Sequence, residues 1–175
     1  VVLSRGLGDV YKRQGWECEF IPWDSTSINW DDFDAVIIRS TWDYQQKEKL
    51  FFKTLQSIEA SSATLYNSLD TVKWNMHKRY LLELEKENIS IIPTRLYGSF
   101  DFDIVNQLFS FFNESKLVIK PCVSANADDT FILEQSKMEN LKSVLEGTFS
   151  RRDFLVQPFI KSIKSEGEYS LIYFG

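Results

Sequence analysis

Several things are scarce in these 175 residues: two cysteines, one histidine, four prolines and seven glycines. Cys18 and Cys122 lie far apart and lack Cys-x-x-Cys spacing. That argues against a disulfide framework and against a zinc site, and fits a reducing, cytoplasmic setting. The single histidine, His77, has no second ligand at i+4 and no serine or cysteine nucleophile placed by sequence, so it reads as a surface residue. No run of about 18 uncharged apolar residues exists, which excludes a membrane-spanning helix. Basic charge is also in deficit. Twenty Lys and Arg against 25 Asp and Glu give a net charge of -5, which argues against nucleic acid as a partner. Internal repeats and low-complexity linkers are missing too.

What is present is packing material. Hydrophobic residues make up 43% and charged residues 26%, a globular balance, and aromatics reach 15%. The length suits one ordinary domain or two small ones. The ends are abrupt. Residues 1–14 show neither helical nor alternating periodicity and read as a leader not native to the fold, although Gly6 and Gly8 admit a second reading as a phosphate-facing turn. At the other end, residues 168–174 alternate like a strand that stops at Gly175.

Between the ends, strands and helices alternate, which predicts an α/β or α+β class. Strands are expected over residues 18–22, 35–38, 65–66, 89–97, 116–120, 130–133 and 154–157, with Pro121 and Pro158 as stops. Helices are expected over 45–59, 71–88, 102–113 and 138–146, the last closed by Gly147. The run Ala35-Val36-Ile37-Ile38 has the pattern of a strand covered on both faces.

Four stretches carry chemistry. Arg39, Ser40, Thr41, Trp42 and Asp43 follow a buried strand, where α/β sheets bind ligands, and an arginine there grips a carboxylate or phosphate; the same polar residues equally suit a helix entrance. Lys120 closes an apolar strand, and Cys122 to Thr130 forms a small-residue loop whose amides suit an anion; a snorkelling lysine at a sheet edge is the alternative. Lys78 reads by itself as an exposed lysine in mid-helix. Gln157, Pro158, Phe159 and Ile160 follow a strand and offer backbone groups that suit the edge of an adenine ring, with a downstream carboxylate suited to ribose hydroxyls. A hinge between lobes with solvent-facing glutamates is the other reading.

Taken in order, Arg39-Ser40-Thr41-Trp42-Asp43-Tyr44, Trp74 to Leu81, Val118-Ile119-Lys120-Pro121, and Val156-Gln157-Pro158-Phe159 with Gly167 to Leu171 resemble the ATP-grasp superfamily, in particular ligases with a glutathione-synthetase-like ATP-binding domain. The resemblance implies that Lys78 and Lys120 neutralise the ATP phosphates, that residues 157–160 read adenine through the backbone, and that Glu168 holds the ribose. Ser124 to Thr130 would be the lid over the β- and γ-phosphates, and Arg39, Ser40, Thr41 and Asp43 would help hold a substrate. Such enzymes phosphorylate a small carboxylate and let an amine or similar nucleophile displace the phosphate, which forms a carbon–nitrogen bond.

The resemblance also fixes an expected layout. Residues 15–66 would be a partial Rossmann-like pre-ATP-grasp domain, 67–151 a linking helix and the small lobe, and 152–175 the start of a truncated large lobe. Two departures accompany it. The lid region lacks glycine between Cys122 and Thr130, and the family's magnesium ligands fall after Gly175, since Glu166 and Glu168 come too early. The expectation is therefore a ligase fragment, inactive by itself, of a cytoplasmic parent that uses ATP and magnesium. A non-catalytic nucleotide-binding or interaction module with the same fold is the competing class.

Overall fold

A computed structural model describes residues 13–167 and Tyr169. The chain divides into two compact units, residues 1–80 and 81–175.

In the first unit, strand β1 (Ala35–Ile37) pairs in parallel with β2 (Thr64–Tyr66), and helix α1 (Glu48–Glu59) forms the crossover between them. The parallel pairing requires such a crossover. Phe51, Leu55 and Ile58 recur at i, i+4 and i+7 on α1 and are buried, as are Val36 and Leu65 on the strands. Trp23 packs edge-on against Phe51 at 5.3 Å and Tyr44 meets the same ring at 5.2 Å. Residues 18–22, expected as a strand, join no sheet among the described residues.

The long helix expected over 71–88 is two helices, α2 (Leu69–Met76) and α3 (Tyr80–Lys86). Ser68 caps the first, its Oγ accepting from the Thr71 N–H at 3.3 Å. At His77 the backbone turns extended, with φ -98° and ψ 119°. The His77 imidazole stabilises the break, because its Nδ1 accepts from the Arg79 N–H at 3.1 Å. Trp74 and Tyr80 bridge it with rings 5.1 Å apart. Helical spacing on both sides disguised the interruption.

The second unit is a four-stranded antiparallel sheet in the order β3 (Arg95–Tyr97), β6 (Phe154–Pro158), β4 (Lys116–Pro121), β5 (Phe131–Glu134). Helices α4 (Phe102–Phe112) and α5 (Met138–Phe149) cover one face. The core there joins Val105, Leu108 and Phe109 of α4 and Met138, Leu145 and Phe149 of α5 to Leu117, Ile119, Leu133, Phe154 and Val156 of the sheet. A short helix α6 (Ser162–Glu166), not anticipated from the sequence, follows the last strand. The mixed content is the expected α+β class.

Three boundaries differ from expectation for identifiable reasons. Only Arg95–Tyr97 of the expected 89–97 strand is in the sheet. Helix α5 runs through Gly147 to Phe149, which is fully buried. A buried Phe is worth about 3–5 kcal/mol against its removal, whereas glycine in a helix costs about 1 kcal/mol, so packing prevails. Strand β4 includes Pro121, which pairs with Phe154. The ladder with β5 ends at Ile119–Phe131, so the N–H that proline lacks falls on a side where no strand remains.

The expected strand 168–174, the leader reading apart from its last two residues, and the Gly6–Gly8 turn lie outside the described residues. Neither Cys18 nor Cys122 is in a disulfide among the described residues.

Candidate functional site

The sheet of the second unit has two unlike faces. Side chains alternate along a strand, so Leu117, Ile119 and Pro121 point to the helices. Val118 and Lys120 point to the opposite face, together with Leu155 and Gln157 of β6 and Ile132 of β5. Lys120 is half-buried there, held on a central strand directly across from Leu155. One step along the strands, Val118 faces Gln157.

The register of β6 explains what happens beside this lysine. Cys122 N–H donates to Asp153 C=O at 2.8 Å and Phe159 N–H to Lys116 C=O at 3.1 Å. Along β6 these fix the backbone groups of odd-numbered residues on the β4 side and those of even-numbered residues on the β3 side. Strand β3 pairs only as far as Arg95 with Val156. In the same register the next partner of Pro158 is Pro93. Neither proline can donate, so the ladder stops there. By the same alternation, the edge of β6 that β3 has left past Val156 would present the Pro158 carbonyl and, if the alternation continues beyond the strand's end at Pro158, the backbone of Ile160. Of the four expected hinge residues, then, Phe159 has its N–H committed to Lys116 and Pro158 has none.

Gln157 is 6% exposed, and its side-chain amide is taken up within the protein. Its Nε2 donates to Thr94 Oγ1 at 2.8 Å, and the Thr94 hydroxyl donates to the Ile92 carbonyl at 2.7 Å. This chain of bonds ties the segment before β3 to β6 just where their ladder ends. Thr94 is 1% exposed and carries no signal in the sequence that would have selected it.

Between β4 and β5 the loop 122–130 winds tightly although it has no glycine. Asn126, Ala127 and Asp129 have φ of 54°, 57° and 52°. Internal bonds run from Asp128 N–H to Ala125 C=O at 3.0 Å and from Thr130 N–H to Ala127 C=O at 3.1 Å. Ser124 Oγ donates back to Pro121 C=O at 3.2 Å, so this expected lid residue shapes the start of the loop. Arg152, absent from the sequence-based candidates, reaches the loop at two points. Its Nη1 pairs with the Asp129 carboxylate and its Nη2 donates to the Val123 carbonyl at 3.3 Å.

At the far end of β4 a separate ion cluster forms. Glu134 meets Lys116 at 2.8 Å and Lys137 at 2.6 Å. Hydrogen bonds from Lys116 and then Lys137 hold the Glu134 carboxyl down to about 2.

In the first unit, Arg39, Ser40, Thr41 and Asp43 follow β1 at the carboxyl end of the parallel pair. Arg39 is exposed, and Ser40 adopts a left-handed φ of 53°. Thr41 C=O accepts from Tyr44 N–H at 3.1 Å. The Asp43 carboxylate accepts from the Trp23 indole at 2.8 Å, and beside it Lys47 pairs with Asp24 at 2.8 Å. That hydrogen-bonded pair lowers the Asp24 carboxyl and raises the Lys47 ammonium from their ordinary values. The Asp43 carboxylate is thus taken up by Trp23, 20 residues away, and makes no side-chain capping bond to the helix that follows, while Arg39, Ser40 and Asp43 are all exposed. Lys78 is half-buried in the break between α2 and α3, not in mid-helix as its spacing suggested. Glu168 lies outside the described residues.

Known proteins resemble this arrangement. Residues 4–67 match the family described as the N-terminal domain of D-cycloserine synthetase DcsG. The cycloserine biosynthesis protein DcsG of Streptomyces lavendulae is 24% identical over 172 residues, which cover 96% of this chain and 57% of that protein. The crystal structure of D-cycloserine synthetase DcsG superposes with a TM-score of 0.79 at 22% identity, covering 92% of this chain and 55% of the other. An ATP-grasp protein of the RimK domain type from Sphaerobacter thermophilus superposes at 0.64 with 15% identity, covering 88% and 58%. The chain therefore spans a little over half the length of these relatives. Two units built as a parallel βαβ and an antiparallel sheet backed by two helices, with these likenesses, give the chain the ATP-grasp fold.

Proposed function

We propose that the chain is the nucleotide-binding part of an ATP-dependent ligase that joins a carboxylate to an amine or similar nucleophile through an acylphosphate. The observation that carries this reading is the edge of β6 beyond Val156. It offers an acceptor at Pro158 C=O and a donor at Ile160 N–H, matching the amino group and ring nitrogen on one edge of adenine. Lys120, on the adjoining face of the same sheet, supplies a cation from a rigid strand for the phosphates. The loop 122–130 supplies amides from small residues above that strand end. In this reading Gln157 and Phe159 shape the hinge, Gln157 through Thr94 and Phe159 through Lys116.

The remaining roles follow the same logic. Lys78 provides a second phosphate cation, Glu168 accepts from ribose hydroxyls, and Arg39 holds the substrate carboxylate by paired hydrogen bonds, with Ser40, Thr41 and Asp43 around it. The chemical need is to bring two anions together in a site that excludes water, which fixed cations meet without reorganisation. Among the described residues no group of three or more His, Cys, Asp or Glu gathers to hold a metal ion. Magnesium, when bound, would supply charge neutralisation on the transferred phosphate.

The test compares two lysines by titrating the chain with ATP. Lys120→Ala is expected to weaken ATP binding about tenfold, in line with the loss of a hydrogen bond to a charged group. Lys137→Ala, which breaks only the surface pair with Glu134, leaves it unchanged. Equal behaviour of the two variants contradicts the assignment.

A further inference from the structure

We infer that Arg152 is a positioning residue for the β4–β5 loop, acting on the terminal phosphates of the nucleotide through that loop; this inference rests on the nucleotide-binding reading above. Arg152 lies in the four-residue link between α5 and β6 and sends one arm of its guanidinium to each end of the loop. Nη1 takes the Asp129 carboxylate near the end of the loop, and Nη2 takes the Val123 carbonyl near its start at 3.3 Å. The planar fork fixes the separation of those two acceptors in a way a flexible ammonium does not. One residue on, Asp153 C=O accepts the Cys122 N–H at 2.8 Å. The loop is thus held at its base by backbone and across its mouth by one side chain, both from the segment that leads into the hinge strand.

Two features of the loop give that fork its purpose. Three non-glycine residues, Asn126, Ala127 and Asp129, sit at left-handed φ, a conformation that persists where surrounding contacts over-determine it. The loop also carries Asp128 and Asp129, an unfavourable choice beside an anion. Pairing with Arg152 neutralises Asp129 and draws its carboxylate to the guanidinium. The same contact therefore sets the shape of the loop and removes a charge that would repel phosphate.

A loop that acts on the β- and γ-phosphates distinguishes ATP from AMP, whereas general damage to the fold does not. The experiment is competition of ATP and of AMP against a fluorescent ATP analogue on the 175-residue chain, for the unsubstituted protein, Arg152→Ala and Asp129→Asn. Arg152→Ala is expected to weaken ATP about tenfold and to leave AMP within about twofold. Asp129→Asn, which loosens the tether but also removes the repelling charge, is expected to weaken ATP selectively and by less than Arg152→Ala. ATP affinity unchanged in both variants, or ATP and AMP weakened equally, overturns the role of Arg152 while leaving nucleotide binding intact. Failure of the unsubstituted chain to bind either nucleotide overturns the nucleotide reading itself, and this inference with it.

Discussion

Thr94 shows how much a single residue fixes in this protein. Its hydroxyl takes the Gln157 amide at 2.8 Å and gives its own proton to the Ile92 carbonyl, just before β3 begins. Removing the hydroxyl leaves a buried amide unsatisfied, which costs about 1–3 kcal/mol. Thr94→Val is therefore expected to lower unfolding stability by that amount in denaturant titrations, and Thr94→Ser to lose less. A Thr94→Val protein as stable as the parent would mean that Gln157 finds another partner. At this scale the sequence was uneven in what it disclosed. Lys120 was visible because an apolar strand ended in a charge next to proline. Thr94 and Arg152 were not, because each acts through a partner 63 and 23 residues away in the chain, respectively, and no local pattern marks such pairs.

Elements were legible where periodicity and caps agree. Helix α4, expected over 102–113, begins with Asp101 accepting the Ile104 N–H at 2.9 Å and closes on Asn113 with φ 54°. Helix α5 continues past Gly147 to bury Phe149, since glycine is a stop signal only when nothing beyond it needs burial. Gly147 lies inside the helix, and a Cβ there would meet nothing within 4 Å. Gly147→Ala is expected to stabilise the protein by about 0.5–1 kcal/mol, raising the thermal midpoint. Gly167→Ala, at φ 84°, is expected to gain nothing comparable. Between α2 and α3 continuous helical spacing conceals a break at which His77 Nδ1 accepts the Arg79 N–H, and Lys78 lies in that junction and not on a regular helix face.

For the whole molecule, the prolines are the most informative residues. Pro93, Pro121 and Pro158 each mark a place where a sheet ladder ends on one side, yet only their register tells which side. The alternation of helices and strands disclosed the α+β class, and motif order disclosed the ATP-grasp resemblance. The hinge edge depends on the β3–β6 register, which, extended past Arg95–Val156, sets Pro93 opposite Pro158. The account turns on that edge, and hydrogen exchange across Gln157 to Ile160 tests it most directly. Addition of ATP is expected to slow exchange at Ile160 N–H, which strand alternation past Phe159 would turn to the open side, more than at Phe159 N–H, which is already bonded to Lys116. Equal exchange across this segment with and without ATP would contradict the claim that β6 reads the nucleotide.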